Sequence, residues 1–78
     1  DVAAARELMQ SLLAELSPQD RLVINLLDLE QKSVNQISEL PGWSKSLVKV
    51  RGFRAHRKLR KLAEQYKKRE EIYETIRA

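Results

Sequence analysis

The 78 residues suffice for one small domain, and a hydrophobic content of 42% allows a modest core. The chain has no cysteine, which excludes disulfide scaffolds and thiolate metal sites, and its single histidine, His56, cannot build a metal site alone. No apolar run approaches the roughly 20 residues of a membrane span, and no signal peptide is visible. Because the chain opens on Asp1 rather than Met, we expect a piece of a longer cytoplasmic protein.

The charge is distributed unevenly along the chain. Residues 1–42 hold three Lys/Arg and seven Asp/Glu, a net charge of −4, whereas residues 43–78 hold twelve Lys/Arg and four Asp/Glu, a net charge of +8. Residues 45–61 contain eight Lys/Arg and no acidic residue. A solvated helix face usually mixes both signs, so this segment favours a polyanionic partner, since each cation that neutralises a phosphate releases counterions.

Apolar residues at steps of three and four predict two helices in the first 30 residues. The first has an apolar stripe of Val2, Ala5, Leu8, Met9, Leu12, Leu13 and Leu16. It stops before Pro18, which fits the first turn of a new helix, with Ser17 as the N-cap and Asp20 favoured by the helix dipole. The second helix is predicted over residues 18–30, and its residues available for burial are Leu22, Val23, Leu26, Leu27 and Leu29.

A third, shorter helix is predicted over residues 34–40. Ser33 and Gln36 fit a capping box, in which each side chain bonds to the backbone N–H of the other residue. Ile37 and Leu40 are expected to point the same way. The segment 41–43, Pro-Gly-Trp, ends this helix, because Pro cannot continue it and Gly can adopt a positive φ.

The fourth helix is predicted to start at about residue 45, with Ser44 as its N-cap. Its buried stripe is Val48, Gly52, Ala55, Leu59 and Leu62. Gly52 costs about 1 kcal/mol in a helix relative to Ala, so we expect it to admit a close approach of another backbone or of the Trp43 ring. After Leu62 the helix either packs on the first helix, binds a partner or frays. The predicted organisation is a leading helix (1–16), a core (17–62) and a C-terminal helical extension (63–78).

The sequence therefore predicts an all-α domain of about four helices, without a wing. A short helix, a tight turn containing Gly and a basic helix have the layout of a helix-turn-helix. In such a unit the second helix enters the major groove of DNA, about 12 Å wide, and the preceding helix braces it across the backbone.

The outward face of the fourth helix follows by subtraction of its buried stripe. Arg54 and Lys49 can donate to guanine O6 and N7, and Arg does so with two hydrogen bonds. Val50 can meet a thymine methyl group. Phe53 either stacks on a sugar or a methyl group or turns inward as core. The candidate base-reading residues are Lys49, Val50, Phe53 and Arg54.

A second set of residues is predicted to contact the DNA backbone, which sets the register and carries no sequence information. These residues are Ser44, Lys45, Ser46, Arg51, Arg57, Lys58, Arg60 and Lys61. About half of the charged ones are expected to matter. We interpret Trp43 as a core plug and His56 as an exposed neighbour of the basic face. No nucleophile–base pair and no phosphate-binding loop is visible, so we expect no catalytic residue, metal, cofactor or small-molecule substrate.

The run LSPQDRLVINLLDLEQKSVNQISELPGWSKSLVKVRGFRAHRKLRKL, residues 16–62, resembles region 4 of bacterial sigma factors, in particular the extracytoplasmic-function class. The family opens with Leu-x-Pro, here residues 16–18, followed by an aliphatic helix, here residues 22–29, and a Glu-Ile-Ala-like helix, here residues 36–40. Its Ser-x-x-x-Val-Lys-x-Arg-x-x-Arg-Ala-x-x-Lys-Leu pattern is matched by Ser44, Val48, Lys49, Arg51, Arg54, Ala55, Lys58 and Leu59. The chain departs from the family at Ser38, at the turn 41–43 and at Gly52.

This resemblance implies a function. In the family, region 4 reads the −35 promoter element while bound to RNA polymerase through the flap of the β subunit, and an anti-sigma protein often holds it inactive. By position, the base-reading group corresponds to Lys49, Val50, Phe53 and Arg54, with Arg51 and Arg57 on the DNA backbone. The domain that melts the −10 element is absent from this sequence.

Two alternatives stay open at this point. A LuxR-type response-regulator output domain has a similar helix-turn-helix, but it usually closes with a separate dimerising helix and binds as a two-fold dimer. A basic helical protein-interaction module would bind an acidic partner and no DNA. Sequence preference among DNA duplexes would separate the DNA-binding interpretations from the interaction module.

Overall fold

The computed structural model describes residues 1–77 and shows only helices, turns and short connections in that range. Its elements in chain order are α1 (Val2–Ala14), α2 (Pro18–Ile24), a π turn (Asn25–Leu29), α3 (Val34–Ile37) and α4 (Lys45–Arg77). The predicted all-α class is confirmed. Ala78, the last residue of the predicted extension, lies outside the described residues. None of the described helices combines the length and the apolar character that crossing a bilayer requires.

Side-chain caps fix the beginnings of the helices. The Ser17 hydroxyl accepts from the Asp20 N–H at 3.2 Å, and the Ser44 hydroxyl accepts from the Leu47 N–H at 3.1 Å. The Ser33–Gln36 capping box is complete, with distances of 2.8 and 3.1 Å. All three predicted N-caps are therefore confirmed, because each depends only on residues three positions apart. Asp1 caps α1 in the same way, which we did not predict.

The first half of α4 is the spine on which the other elements pack. One cluster joins α1 and α2 to α4 and consists of Leu13, Leu16, Ile24 and Ala55, with Leu59 and Leu62 packed against it. A second cluster joins the π turn and α3 to α4 and consists of Leu26, Ile37 and Val48, with Leu27, Val34 and Trp43 packed against it. The side chains of Val23, Ile37 and Val48 are fully buried, and burial of such a side chain contributes about 1.5–3 kcal/mol.

The predicted second helix has the expected length but not the expected form. From Asn25 onward it widens into a π turn, in which the Glu30 N–H donates to the Asn25 carbonyl at 2.9 Å. Gln31 follows with a φ of +52° and ends the turn. Two of its residues that were expected to be available for burial, Leu22 and Leu29, are 42% and 66% exposed. Leu29 is the last residue of the π turn, where the helix ends.

The third helix is shorter than predicted. It ends at Ile37 rather than at residue 40, since the N–H groups of Glu39 and Leu40 donate three residues back instead of four. Leu40 is consequently 41% exposed, whereas Ile37 is fully buried. Gly42 has a φ of +79°, which confirms the positive φ expected of the turn.

Both ends of the chain project from the core. In α1 only Leu12 and Leu13 are buried, followed by Leu16 just after the helix. The predicted stripe is not buried at its start, since Val2 is 76% exposed. The helix α4 continues without interruption to Arg77, and every residue from 63 to 77 is exposed. The segment after Leu62 was expected to pack on the first helix, to bind a partner or to fray. The structure shows it as a helix that buries none of its residues against the described chain. This helix gives the molecule its long dimension of 52 Å.

Gly52 is buried where α4 crosses α2 and the π turn. A Cβ atom at this position would lie 3.0 Å from Cδ1 of Leu27 and 3.7 Å from Cγ1 of Val23. A close approach is found at Gly52, but the approaching group is the Leu27 side chain rather than the backbone or the Trp43 ring that we had expected. Trp43 instead packs against the second cluster, which confirms its interpretation as a core plug.

Candidate nucleic-acid interface

The outward face of α4 begins at its first turn. With 3.6 residues per turn, the fully buried Val48 and Gly52 fix which side chains face away from the core. All four candidate base-reading residues are exposed; Phe53 is 70% exposed and Val50 45%. The alternative in which Phe53 turns inward is therefore wrong. Lys49 and Arg54, five residues apart, lie about 140° apart around the helix axis, with Val50 and Phe53 between them.

The predicted backbone-contacting residues extend this face in both directions. Seven of the eight are exposed and the remaining one, Arg51, is half-buried. The exposed ones are Ser44, Lys45, Ser46, Arg57, Lys58, Arg60 and Lys61. An open groove of about 460 Å³ lies between Phe53, His56, Arg57 and Arg60. The basic residues therefore form one exposed surface, which we call the basic face: residues 45–61 of α4 except the buried stripe.

The helix that precedes the basic face braces it as a helix-turn-helix requires. Ile37 of α3 is fully buried and lies in the second cluster together with Val48 of α4. The turn between the two helices passes through Gly42, and a Cβ there would meet nothing within 4 Å. Gly42 is thus required for its backbone conformation and not for space. The short α3 holds the start of α4 at a fixed angle to the core.

Arg51 makes a contact that the sequence did not predict. Its guanidinium carbon lies 4.8 Å from the centroid of the Trp43 ring, within the range of a cation–π interaction. This contact holds Arg51 against the turn on one side of the buried stripe. A phosphate contact by Arg51 stays a prediction.

His56 makes a second unpredicted contact, on the other side of the buried stripe. Its Nε2 lies 2.7 Å from Oδ2 of Asp28 in the π turn, and the two side chains are 41% and 46% exposed. The prediction that His56 neighbours the basic face is confirmed, but its partner is a carboxylate of the protein. No sequence signal could have found this pair, because its members are 28 positions apart.

The described residues contain no candidate metal site. In residues 1–77, no group of three or more His, Cys, Asp or Glu side chains is arranged to hold a metal ion. Among the described acidic side chains, only Asp28 of the π turn lies within 4.0 Å of a basic side chain. The arrangement presents a row of cations and two apolar side chains, which suits a polyanionic surface.

A braced basic helix after a tight turn places the chain in the class of helix-turn-helix DNA-binding domains. Comparison with protein families makes this specific: the family described as "Sigma-70, region 4" matches residues 6–59, more than half of the chain. The chain belongs to this family. It is a non-enzymatic DNA-binding domain that acts in promoter recognition by a sigma factor together with RNA polymerase.

The family match covers most of the core and the basic face as far as residue 59, and it ends inside α4 before Arg60, Lys61 and the exposed extension. It decides against the LuxR-type alternative. Neither the curated proteins nor the solved structures contain a significant match to this chain.

Proposed function

We propose that this domain reads the −35 element of a promoter with the first turns of α4 in the major groove. The observation that carries the proposal is the basic face itself: an exposed helix surface, free of acidic residues over residues 45–61 and braced by α3. A helix of this kind fits the major groove, where each base pair presents a distinct pattern of donors and acceptors.

Within that groove we assign base reading to four side chains. Arg54 is suited to a guanine, because its planar guanidinium can donate two parallel hydrogen bonds to O6 and N7. Lys49 lies on the opposite flank and can donate to a second purine. Val50 and Phe53 lie between them, and their exposed apolar surfaces suit thymine methyl groups. Together they provide two polar contacts and two apolar contacts along one helix face.

The remaining cations of the basic face are assigned to phosphates. Arg57 and Arg60 line the open groove beside Phe53, where a sugar-phosphate chain can pass. Lys58 and Lys61 continue the charged surface by one turn. Ser44 and Ser46 lie at the N-terminus of α4, where backbone N–H groups also favour an anion. These contacts position the helix and add affinity without sequence information.

The protein partners that we propose are those expected from the family. We propose that the flap of the RNA polymerase β subunit binds the core away from the basic face, and that an anti-sigma protein of the extracytoplasmic-function type controls access. An open groove of about 290 Å³ supports such a contact, since its lining includes Leu26, Ile37 and Leu40 and no residue of α4. A sigma factor works where RNA polymerase meets the chromosome, so we assign it to the cytoplasm.

The first prediction compares two variants on DNA. Arg54→Ala is expected to lose about 1–3 kcal/mol on the preferred duplex and to relax one base position, because a base contact is removed. Lys61→Ala is the matched control, and it is expected to weaken all duplexes alike, since it removes a phosphate contact. The measurement is fluorescence anisotropy on the preferred duplex and on its single-base variants, with the domain fused to a flap fragment to supply avidity.

Equal losses on every duplex for both variants would contradict base reading by Arg54. If wild-type protein also showed no preference among duplexes, the basic face would be a protein-interaction surface. An acidic partner would then replace DNA as its ligand.

A further inference from the structure

One polar contact ties α4 to the element that supports it. Within residues 1–77, the hydrogen bond between His56 and Asp28 is the only one that joins two side chains, and it is also the only contact within 4.0 Å between a basic and an acidic side chain. It connects the basic face directly to the π turn. Both residues lie inside the family-matched region, but neither contributes to the contacts assigned above.

We propose that Asp28 and His56 are positioning residues for promoter reading, an inference that rests on the proposed function. Their hydrogen bond fixes the rotation of α4 about its own axis. It thereby aims Lys49 and Arg54 at the base edges, although neither Asp28 nor His56 reads a base.

The apolar contacts on this side of α4 fix which face points outward, and the polar contact adds a finer restraint on small rotations. Gly52 and Ala55, which face α2 and the π turn, carry at most one methyl group each to oppose such a rotation. Hydrophobic contact is non-directional, whereas a hydrogen bond weakens steeply as its angle departs from linear. The His56–Asp28 bond therefore adds the directional restraint that the apolar contacts lack.

A second contact restrains rotation in the opposite sense. Arg51 and His56 are five residues apart, which places them about 140° apart around α4, on the two sides of the buried stripe. Arg51 is held by the Trp43 ring at 4.8 Å, and His56 is held by Asp28 at 2.7 Å. A roll of ~20° would move the end of a side chain by about 2 Å, enough to break a bidentate contact to guanine.

The π turn explains why Asp28 reaches His56. Its consecutive residues Leu26, Leu27 and Asp28 meet α4 at successive turns: Leu26 shares a cluster with Val48, Leu27 approaches Gly52, and Asp28 bonds to His56. In an α-helix three consecutive side chains spread over ~200°, so they do not all face one neighbour. The wider π turn narrows this spread, and here all three side chains reach α4. Such π turns occur frequently at functional sites.

The test uses two matched pairs of variants. His56→Gln keeps an N–H donor at the end of the side chain and His56→Ala removes it; Asp28→Asn keeps a carbonyl acceptor and Asp28→Ala removes it, with the same change of charge. The measured quantity is the ratio of dissociation constants for a scrambled and a preferred duplex of equal length, with the flap-fused chain. Circular dichroism checks that each variant is folded.

We expect His56→Ala and Asp28→Ala each to lower this ratio about fivefold or more, because a misaimed helix loses part of a base contact. His56→Gln and Asp28→Asn are expected to stay within about twofold of the ratio of the wild type. Combining the two Ala changes should cost no more than either alone, since the two residues act through one bond. The asparagine and alanine variants at residue 28 should both bind the scrambled duplex more tightly, through their shared loss of negative charge.

Three results would overturn the positioning role. An unchanged ratio in His56→Ala, with binding to both duplexes reduced, would mean that the residue only supports folding or contacts a phosphate. If the ratio of dissociation constants fell equally in Asp28→Asn and Asp28→Ala, the effect would come from the charge of Asp28. If the ratio fell equally in His56→Gln and His56→Ala, the hydrogen bond would be excluded as its cause. A wild-type ratio of one would instead contradict the proposed function together with this inference, so the two failures are distinguishable.

Discussion

At Gly52 the absence of a side chain sets how closely α4 approaches its support. The position of a Cβ atom there is 3.0 Å from Cδ1 of Leu27, closer than ordinary van der Waals contact. A single methyl group can be tolerated if the end of the half-buried Leu27 side chain shifts by a few tenths of an ångström. A branched side chain adds atoms toward Val23 as well, and no comparable shift is available there because Val23 is fully buried.

The second prediction follows from this contact. Gly52→Val is expected to lower the free energy of unfolding by about 2 kcal/mol through overpacking. Gly52→Ala is the control, and its effect should be small, because about 1 kcal/mol of improved helix propensity offsets the displacement of Leu27. Urea unfolding of both variants measures the difference, and equal stability of the two would contradict the close packing at this position.

The elements differ in how far local sequence determines them. The start of α3 depends on the reciprocal bonds between Ser33 and Gln36, three residues apart, and its continuation depends on burial of Ile37. A helix of four residues has few internal hydrogen bonds, so its capping box contributes a large share of its stability.

The third prediction tests this dependence. Ser33→Ala is expected to destabilise the domain by about 1 kcal/mol, the usual cost of losing an N-cap side chain. Ser11→Ala is the matched control: Ser11 is exposed within α1 and its hydroxyl bonds only to the Leu8 carbonyl of the same helix. Thermal unfolding should show a lower midpoint for the first variant and little change for the second. Two equal midpoints would mean that the capping box is not needed.

The features of the fold that could be predicted from the sequence are those whose determining contacts are close in sequence. The N-caps at Ser17, Ser33 and Ser44 depend on residues three positions away, and the glycine turn at Gly42 depends on its own φ. The buried stripe of α4 also followed from its spacing, and with it the exposure of the basic face.

Features of the fold could not be predicted where the determining contacts are distant in sequence or where the periodicity changes within a helix. The apolar spacing of residues 18–30 is also compatible with one continuous α-helix, so it did not indicate the π turn that begins at Asn25. The bond between Asp28 and His56 depends on that turn and spans 28 positions. The end of α3 at Ile37 and the exposed extension of α4 depend on which surfaces are available for packing, and spacing alone carries no information on that.

The whole molecule separates its charges in space. The seven acidic residues of residues 1–42 belong to α1, α2, the π turn and the adjoining connections, whereas the basic face is one surface of α4. Such a separation creates a field that attracts a polyanion to one side of the domain and orients it before contact. The exposed extension beyond residue 62 carries charges of both signs and lies outside the family match.

The fourth prediction follows from this field. If about half of the cations on the basic face neutralise phosphates, a plot of log Kobs against log salt concentration should have a slope of about −3 to −4. The measurement is the affinity of the flap-fused chain for a scrambled duplex at several salt concentrations, which isolates the part of binding that does not depend on sequence. A slope near zero would contradict the assignment of these residues to phosphates.

The central claim is that the outward face of α4 distinguishes base pairs. Selection from a random duplex library, with the domain tethered to RNA polymerase or fused to a flap fragment, tests it most directly. We predict enrichment of one short motif that contains a guanine, and loss of the preference at that guanine in Arg54→Ala. A library that stays random after repeated rounds, although the protein is folded and binds DNA, would contradict the claim.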